Sequence, residues 1–189
     1  RMMEQLNRQT AVRDMTLCAM FTALIIVGAF IRIPIPYVPF TLQLLFTMLA
    51  GLLLGKKLGT MSVLLYIILG LIGVPVFTEG GGLMYIFKPS FGYIIGFAVG
   101  AYLTGKIAHE VKNPSFGRLL WANIAGLMAV YGFGMVHCFV IMNYYSGAGM
   151  TLWNLILYCF LLIVPGDLFL CVVAAILMKR LLPVLHQYR

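Results

Sequence analysis

The sequence predicts an all-α fold, a single bundle of six membrane-spanning helices, on three observations. Of the 189 residues, 62% are hydrophobic and only 10% charged, with a mean hydropathy of +1.02, far outside the range of a soluble globular domain. The apolar residues come in runs that approach the roughly 20 residues a helix needs to cross the hydrocarbon core. The basic residues collect between alternate pairs of those runs, as the positive-inside rule requires of a polytopic chain.

The spans fall at about 15–33, 41–55, 58–74, 89–106, 119–142 and 150–178, leaving residues 1–189 as one integral membrane domain with no room for a soluble one. Arg1 to Asp14 form a basic, weakly amphipathic lead-in, either lying on an anionic membrane face or simply starting the first helix in solvent. The first span ends at Arg32 and the segment IPIPYVPF, where Pro34, Pro36 and Pro39 favour an extended connection. The second span, from Thr41, stops at Gly55 and the pair Lys56 and Lys57. The third runs from Leu58 to Val74.

A glycine-rich loop follows, GVPVFTEGGGLMYIFKPS, in which Pro75 ends a helix and Pro89 suits the start of the next. The fourth span carries Gly92, Gly96 and Gly100 at four-residue spacing, a face on which a neighbouring helix can approach closely. Lys106 to Arg118 is the most polar connection. Leu119 to Pro165 contains no charged side chain and exceeds one span, so it must turn, best at NYYSGAG, Asn143 to Gly149. The last span holds Pro165, expected to kink it, and Asp167, and is closed by Lys179 and Arg180.

Six spans put both termini on one side. Arg1, Arg8, Arg13, Lys56, Lys57, Lys106, Lys112, Arg118, Lys179, Arg180 and Arg189 fall there, against Arg32 and Lys88 on the other, so the termini are expected in the cytoplasm of a cell whose membrane holds the chain. The formal charge of +8 is explained by this sorting rather than by nucleic acid. The proline-rich loop, the glycine loop and the NYYSGAG turn then share the outer face.

Several chemistries are excluded. GLLLGKK at Gly51 to Lys57 has three residues between its glycines where a phosphate loop has four, and no Ser or Thr after the lysine. Cys18, Cys138, Cys159 and Cys171 lie in apolar runs without metal-ligand or disulfide-framework spacing. No nucleophile with a base, no paired carboxylates and no metal cluster appear, so the chain is read as a binding or transport protein and not an enzyme, with no cofactor.

Asp167 is the one acid within a span. A carboxylate at bilayer depth costs at least about 2.5 kcal/mol and needs a partner. It reads either as a ligand for a solute or as a group satisfied by backbone freed at Pro165 or by a Tyr hydroxyl. Gln43, one turn into the second span, offers an amide that donates and accepts, to a ligand or to a neighbouring helix. Asn143, Asn154, Tyr85, Tyr93 and Tyr158 stand near the outer side. Gly80, Gly81 and Gly82 offer a nest of N–H groups for a carboxylate with Lys88 close by, or merely a flexible loop.

The residues also carry a family resemblance. VPFTLQ at Val38 to Gln43, LLLGKKLGTMSVLLYIILGLIGVPVF at Leu52 to Phe77, the GGG loop, KPSFGYIIGF at Lys88 to Phe97 and VPGD at Val164 to Asp167 together resemble the BioY family, the biotin-specific substrate-binding (S) components of energy-coupling factor (ECF) importers. The resemblance covers the chain in order. It implies capture of biotin from outside and release driven by a transmembrane coupling subunit and an ATPase pair. Ala19 and Ala23 match the alanine-x-x-x-alanine pattern by which such components dock on the coupling subunit.

The chemistry of a biotin ligand fits: Asp167 would accept from the ureido N–H groups, Gln43 or a tyrosine would donate to the ureido oxygen, Phe77, Met84 and Tyr85 would cover the ring, and the glycine loop would hold the carboxylate tail. Lys88 and Ser90 complete the loop side, and Tyr93, Asn154 and Tyr158 the walls. The chain departs from the family pattern at Leu170, where a lysine is usual, and at Lys88 to Phe91, where Gly-Pro-Thr-Gly is usual. Lys88 is therefore expected to supply the missing cation from the loop. Two other readings stand beside it: an S component of the same architecture for another vitamin, and, from a different class, a self-sufficient proton-coupled transporter using Asp167.

Overall fold

The computed structural model describes residues 1–187, with side chains through Val184. Arg189, assigned above to the cytoplasmic side, lies outside the described residues. The order is α1 Met2–Phe30, a two-residue hairpin of β1 Arg32–Ile33 and β2 Phe40–Thr41, α2 Gln43–Leu71, a 3₁₀ turn Leu83–Phe87, α3 Phe91–His109, α4 Phe116–Val140, a π-helical turn Ile141–Tyr145, α5 Leu152–Ile156, a second π-helical turn Leu157–Leu161 and α6 Val164–Gln187. Among the described residues, five segments are long and apolar enough to cross a membrane.

That count differs from the expected six because the second and third expected spans are two arms of one element, α2. Gly55 breaks it with φ +89° and ψ 178°, a conformation open essentially to glycine alone. The chain then folds back: a Cβ on Gly59 would lie 2.9 Å from Gly51 Cα, whereas residues 51 and 59 of a straight helix stand about 12 Å apart. His109 braces the corner, its Nε2 2.6 Å from the Leu52 carbonyl.

Residues 1–13 are exposed and helical from Met2, so the basic lead-in is the start of α1 itself, and its first buried residue is Cys18. Thr22 ties α1 to the second arm of α2 by donating to the Ser62 carbonyl at 2.9 Å. The glycines of α3 form a seam with α4. A Cβ on Gly96 would come within 2.7 Å of Val130 Cα, one on Gly100 within 2.8 Å of the Gly126 carbonyl and one on Gly92 within 2.6 Å of the Phe133 carbonyl, so these glycines serve close helix packing.

The last span is one helical segment, Leu152–Val184, irregular in its middle. Asn143 closes the turn after α4 by donating to the carbonyls of Phe139 and Met150 and accepting from Met150 N–H. The short α5 and its π-helical turn then precede α6, and Pro165 sits in the first turn of α6, where a missing N–H costs nothing. One end of the bundle gathers Lys56 beside Gly105, the Arg118–Glu110 pair and Lys179 on the Pro114 carbonyl. Arg32, bound to the Thr78 carbonyl, and Lys88, paired with Glu79, stand at the other.

Candidate ligand site

At the Arg32 and Lys88 end, the helices and outer loops line a narrow hollow with about 50 Å³ of free space. Its floor and walls come from Gln43 and Leu44 at the start of α2, Tyr93, Ile94 and Phe97 of α3, Val130 of α4, and Ile163 and Asp167 at the start of α6. Val38 to Thr41 close one side, and Thr78, Tyr85 and Ser90 the other.

Each polar side chain is aimed by local structure. Asp167 rides the first turn of α6, 7% exposed, and its Oδ2 accepts from the Tyr131 hydroxyl at 2.5 Å. Of the readings open for this acid, the tyrosine partner is realised, and its lining position leaves the carboxylate facing the hollow as well. Gly166 beside it allows Phe40 to lie against the helix start, where a Cβ would meet the ring at 2.5 Å. Tyr93 is spent on structure, donating to the Cys159 carbonyl at 2.7 Å, and presents its ring to the hollow.

Gln43 is 2% exposed and its Nε2 makes no hydrogen bond. The Tyr66 hydroxyl stands close by but donates to the Val76 carbonyl at 3.2 Å, and the amide completes no bond to it. The Tyr85 hydroxyl is likewise buried and unpartnered. Burial pushes this phenol above its ordinary range; Ser90 and the Glu79 backbone oppose the shift without completing a hydrogen bond. A buried polar atom left unpaired costs about 1–3 kcal/mol. Two residues with such atoms line one hollow together with an acid, which marks a place where a polar small molecule would supply partners.

Of the residues expected at the site, Gln43, Tyr85, Ser90, Tyr93 and Asp167 meet at this hollow. Phe77 does not line it: its ring lies on Gly70 and contacts Tyr66, Tyr85 and Phe91, supporting the wall from behind. Two of the three N–H groups in the expected nest are committed within the loop, Gly80 to the Phe77 carbonyl and Gly82 to the Gly70 carbonyl. Met84 points outward at 68% exposure. Lys88 pairs with Glu79 at 3.4 Å instead of entering the hollow.

Tyr158 packs edge-on against Tyr37, and Asn154 belongs to α5, its N–H capped by Thr151. Ala19 and Ala23 are exposed on α1. Sequence reasoning missed Phe40, Thr41 and Thr78 as lining residues and Tyr131 as the partner of Asp167. Only the adjacency of Phe40 and Thr41 to Gln43 hinted at any of them.

The profile of the BioY family matches residues 2–187. The chain is 40% identical to the probable biotin transporter BioY of Lysinibacillus sphaericus over 96% of this chain and 93% of that protein. It is 39% identical to the biotin transporter BioY of Thermotoga maritima over 90% and 96%. Among solved structures, the S-component for biotin from an ECF-type ABC transporter aligns with a TM-score of 0.79 at 29% identity, covering 92% of each chain. With nearly its whole length matched in sequence and in fold, the chain belongs to the BioY family.

Proposed function

We propose that this chain is the biotin-capturing S component of an ATP-driven ECF importer. It is not an enzyme. The observation that carries the reading is the hollow lined together by Asp167, Gln43 and Tyr85, of which Gln43 Nε2 and Tyr85 Oη are buried and unpartnered, in a member of a family whose relatives are biotin transporters. Biotin presents a ureido group with two donors and one acceptor, an apolar fused ring and a carboxylate tail. Asp167 accepts from the ureido N–H groups, Gln43 or Tyr85 donates to oxygen, and Phe40, Phe97, Ile94 and Val130 cover the ring.

The chain crosses the membrane six times, the two arms of α2 counting separately, with both termini in the cytoplasm. The fold-back at Gly55 and the eleven basic residues on the terminal side support this topology. The hollow then opens outward. Ala19 and Ala23, exposed on α1, dock on the coupling subunit, whose ATPase pair drives release. For Lys88 and Gly80 to Gly82 to hold the carboxylate tail, Lys88 would have to leave Glu79 and the loop would have to release the N–H groups of Gly80 and Gly82.

Calorimetric titration of the detergent-purified chain with biotin tests the proposal. Saturable one-to-one binding, absent with other vitamins, is the expected result. Binding of a different vitamin would reassign the ligand, and uptake by the chain alone in vesicles under a proton gradient would favour the secondary transporter.

A further inference from the structure

The 3₁₀ turn Leu83–Phe87 roofs the hollow, and its period explains how it does so. With three residues per turn, positions i and i+3 eclipse. Leu83 and Ile86 share one edge, Met84 and Phe87 the next, and Tyr85 takes the third. Only Tyr85 turns inward, at 3% exposure; Leu83 and Met84 are 69% and 68% exposed, Ile86 and Phe87 38% and 41%. Four large apolar side chains on two outward edges of a five-residue turn form a patch of the kind that marks a membrane or partner contact.

The surroundings identify the partner. Ile86 stands at the head of an apolar groove that continues down the outer walls of α2 and α3 through Leu64, Leu71, Ile95, Val99 and Tyr102. Those helices are apolar enough to cross a membrane, so the groove lies against acyl chains. On the other edge, Phe87 stacks on Tyr145, centroids 4.5 Å apart and planes 17° from parallel. This extends the patch with an aromatic ring of the type that prefers the lipid headgroup boundary.

We infer that this turn is anchored in the bilayer. Leu83, Met84, Ile86 and Phe87 insert among the phospholipids of the leaflet at this end of the bundle, while Tyr85 faces the ligand. The roof of the site is thereby fastened to lipid. The lipid contact stands on its own; only the naming of the hollow as a biotin site rests on the proposed function.

Methionine oxidation tests it on the native chain. Purified protein, one chain per phosphatidylcholine nanodisc, is treated with dilute hydrogen peroxide and sulfoxides are quantified by mass spectrometry against a free methionyl peptide. Met84 is expected to oxidise at least fivefold more slowly than the peptide, like Met61 and Met128, which are 54% and 63% exposed on α2 and α4. Oxidation of Met84 at the peptide rate overturns the inference.

A second measurement uses Met84→Trp in a Trp121→Phe, Trp153→Phe background. Quenching by brominated phosphatidylcholine with shielding from aqueous iodide supports the anchor, and the reverse pattern overturns it. If native chain fails to bind biotin, the proposed function falls while the methionine result stands. If Met84 oxidises freely, the anchor falls while the titration stands.

Discussion

The Tyr131 hydroxyl donates to Asp167 Oδ2 at 2.5 Å, joining α4 to the first turn of α6. Edge contacts with Phe160 and Tyr93 hold the Tyr131 ring in place. The bond satisfies one carboxylate oxygen at a depth where an unpaired charge is costly. Hydrogen bonds to charged groups contribute about 1.5–3 kcal/mol. Tyr131→Phe should therefore lower biotin affinity about tenfold or more and depress the thermal midpoint, both read by calorimetry and a thermal-shift assay. Asp167→Asn should weaken biotin at least as strongly.

Gln43 separates a ligand role from a structural one. Its Nε2 is buried and unpartnered, so Gln43→Leu removes an unsatisfied group and should leave the thermal midpoint of the biotin-free chain unchanged or raised. The same change should weaken biotin by about 1–2 kcal/mol, roughly five- to thirtyfold. A stability loss without an affinity loss would assign Gln43 to packing.

The glycine seam should tolerate no side chain. Gly96→Leu places its Cβ 2.7 Å from Val130 Cα, backbone that cannot step aside. Loss of about 3 kcal/mol or more is expected, visible as aggregation on size exclusion. Gly132→Leu on α4, where a Cβ meets nothing within 4 Å, should be harmless.

Gly55→Ala forces a side chain into φ +89°, ψ 178°, at a cost of about 1–3 kcal/mol. The thermal midpoint should fall without a change in biotin stoichiometry, since the corner lies at the far end from the hollow.

The topology is checked by impermeant maleimide. Met2→Cys, Lys57→Cys and Lys112→Cys should label only after the cells are opened, and Tyr37→Cys and Tyr144→Cys in intact cells. Labelling of Lys57→Cys in intact cells would contradict the six crossings proposed from Gly55.

Much of this was legible in the sequence because lipid imposes simple rules. Hydrophobic runs, the three prolines before Phe40 and the sorting of lysines located most connections to within a few residues. Gly55 and its two lysines marked the corner of α2, although the length criterion counts that corner as helix. The break between α5 and α6 was hidden because the apolar run continues across it, from Leu155 to Val164, without a polar signal.

At the site, Asp167 and Gln43 stood out as polar atoms in apolar surroundings. Tyr131 did not, since a tyrosine in an apolar run is equally an interface residue or a packing one. Met84 was expected on the ligand; the tight period of a 3₁₀ turn faces it the other way, and five residues carry too little pattern to reveal that period.

Along the α3–α4 seam, main chain touches main chain with almost nothing between. Two rods in such contact have no flexible side chains to absorb a shift, so they travel as a single plate. Any opening must then come at the margins of that plate, where α6 is tied to α4 by the Tyr131–Asp167 bond and by Asn123 donating to the Cys171 carbonyl, and where the prolines bridge to α2. The acid proposed to hold the ligand would then be one of two bolts on the door.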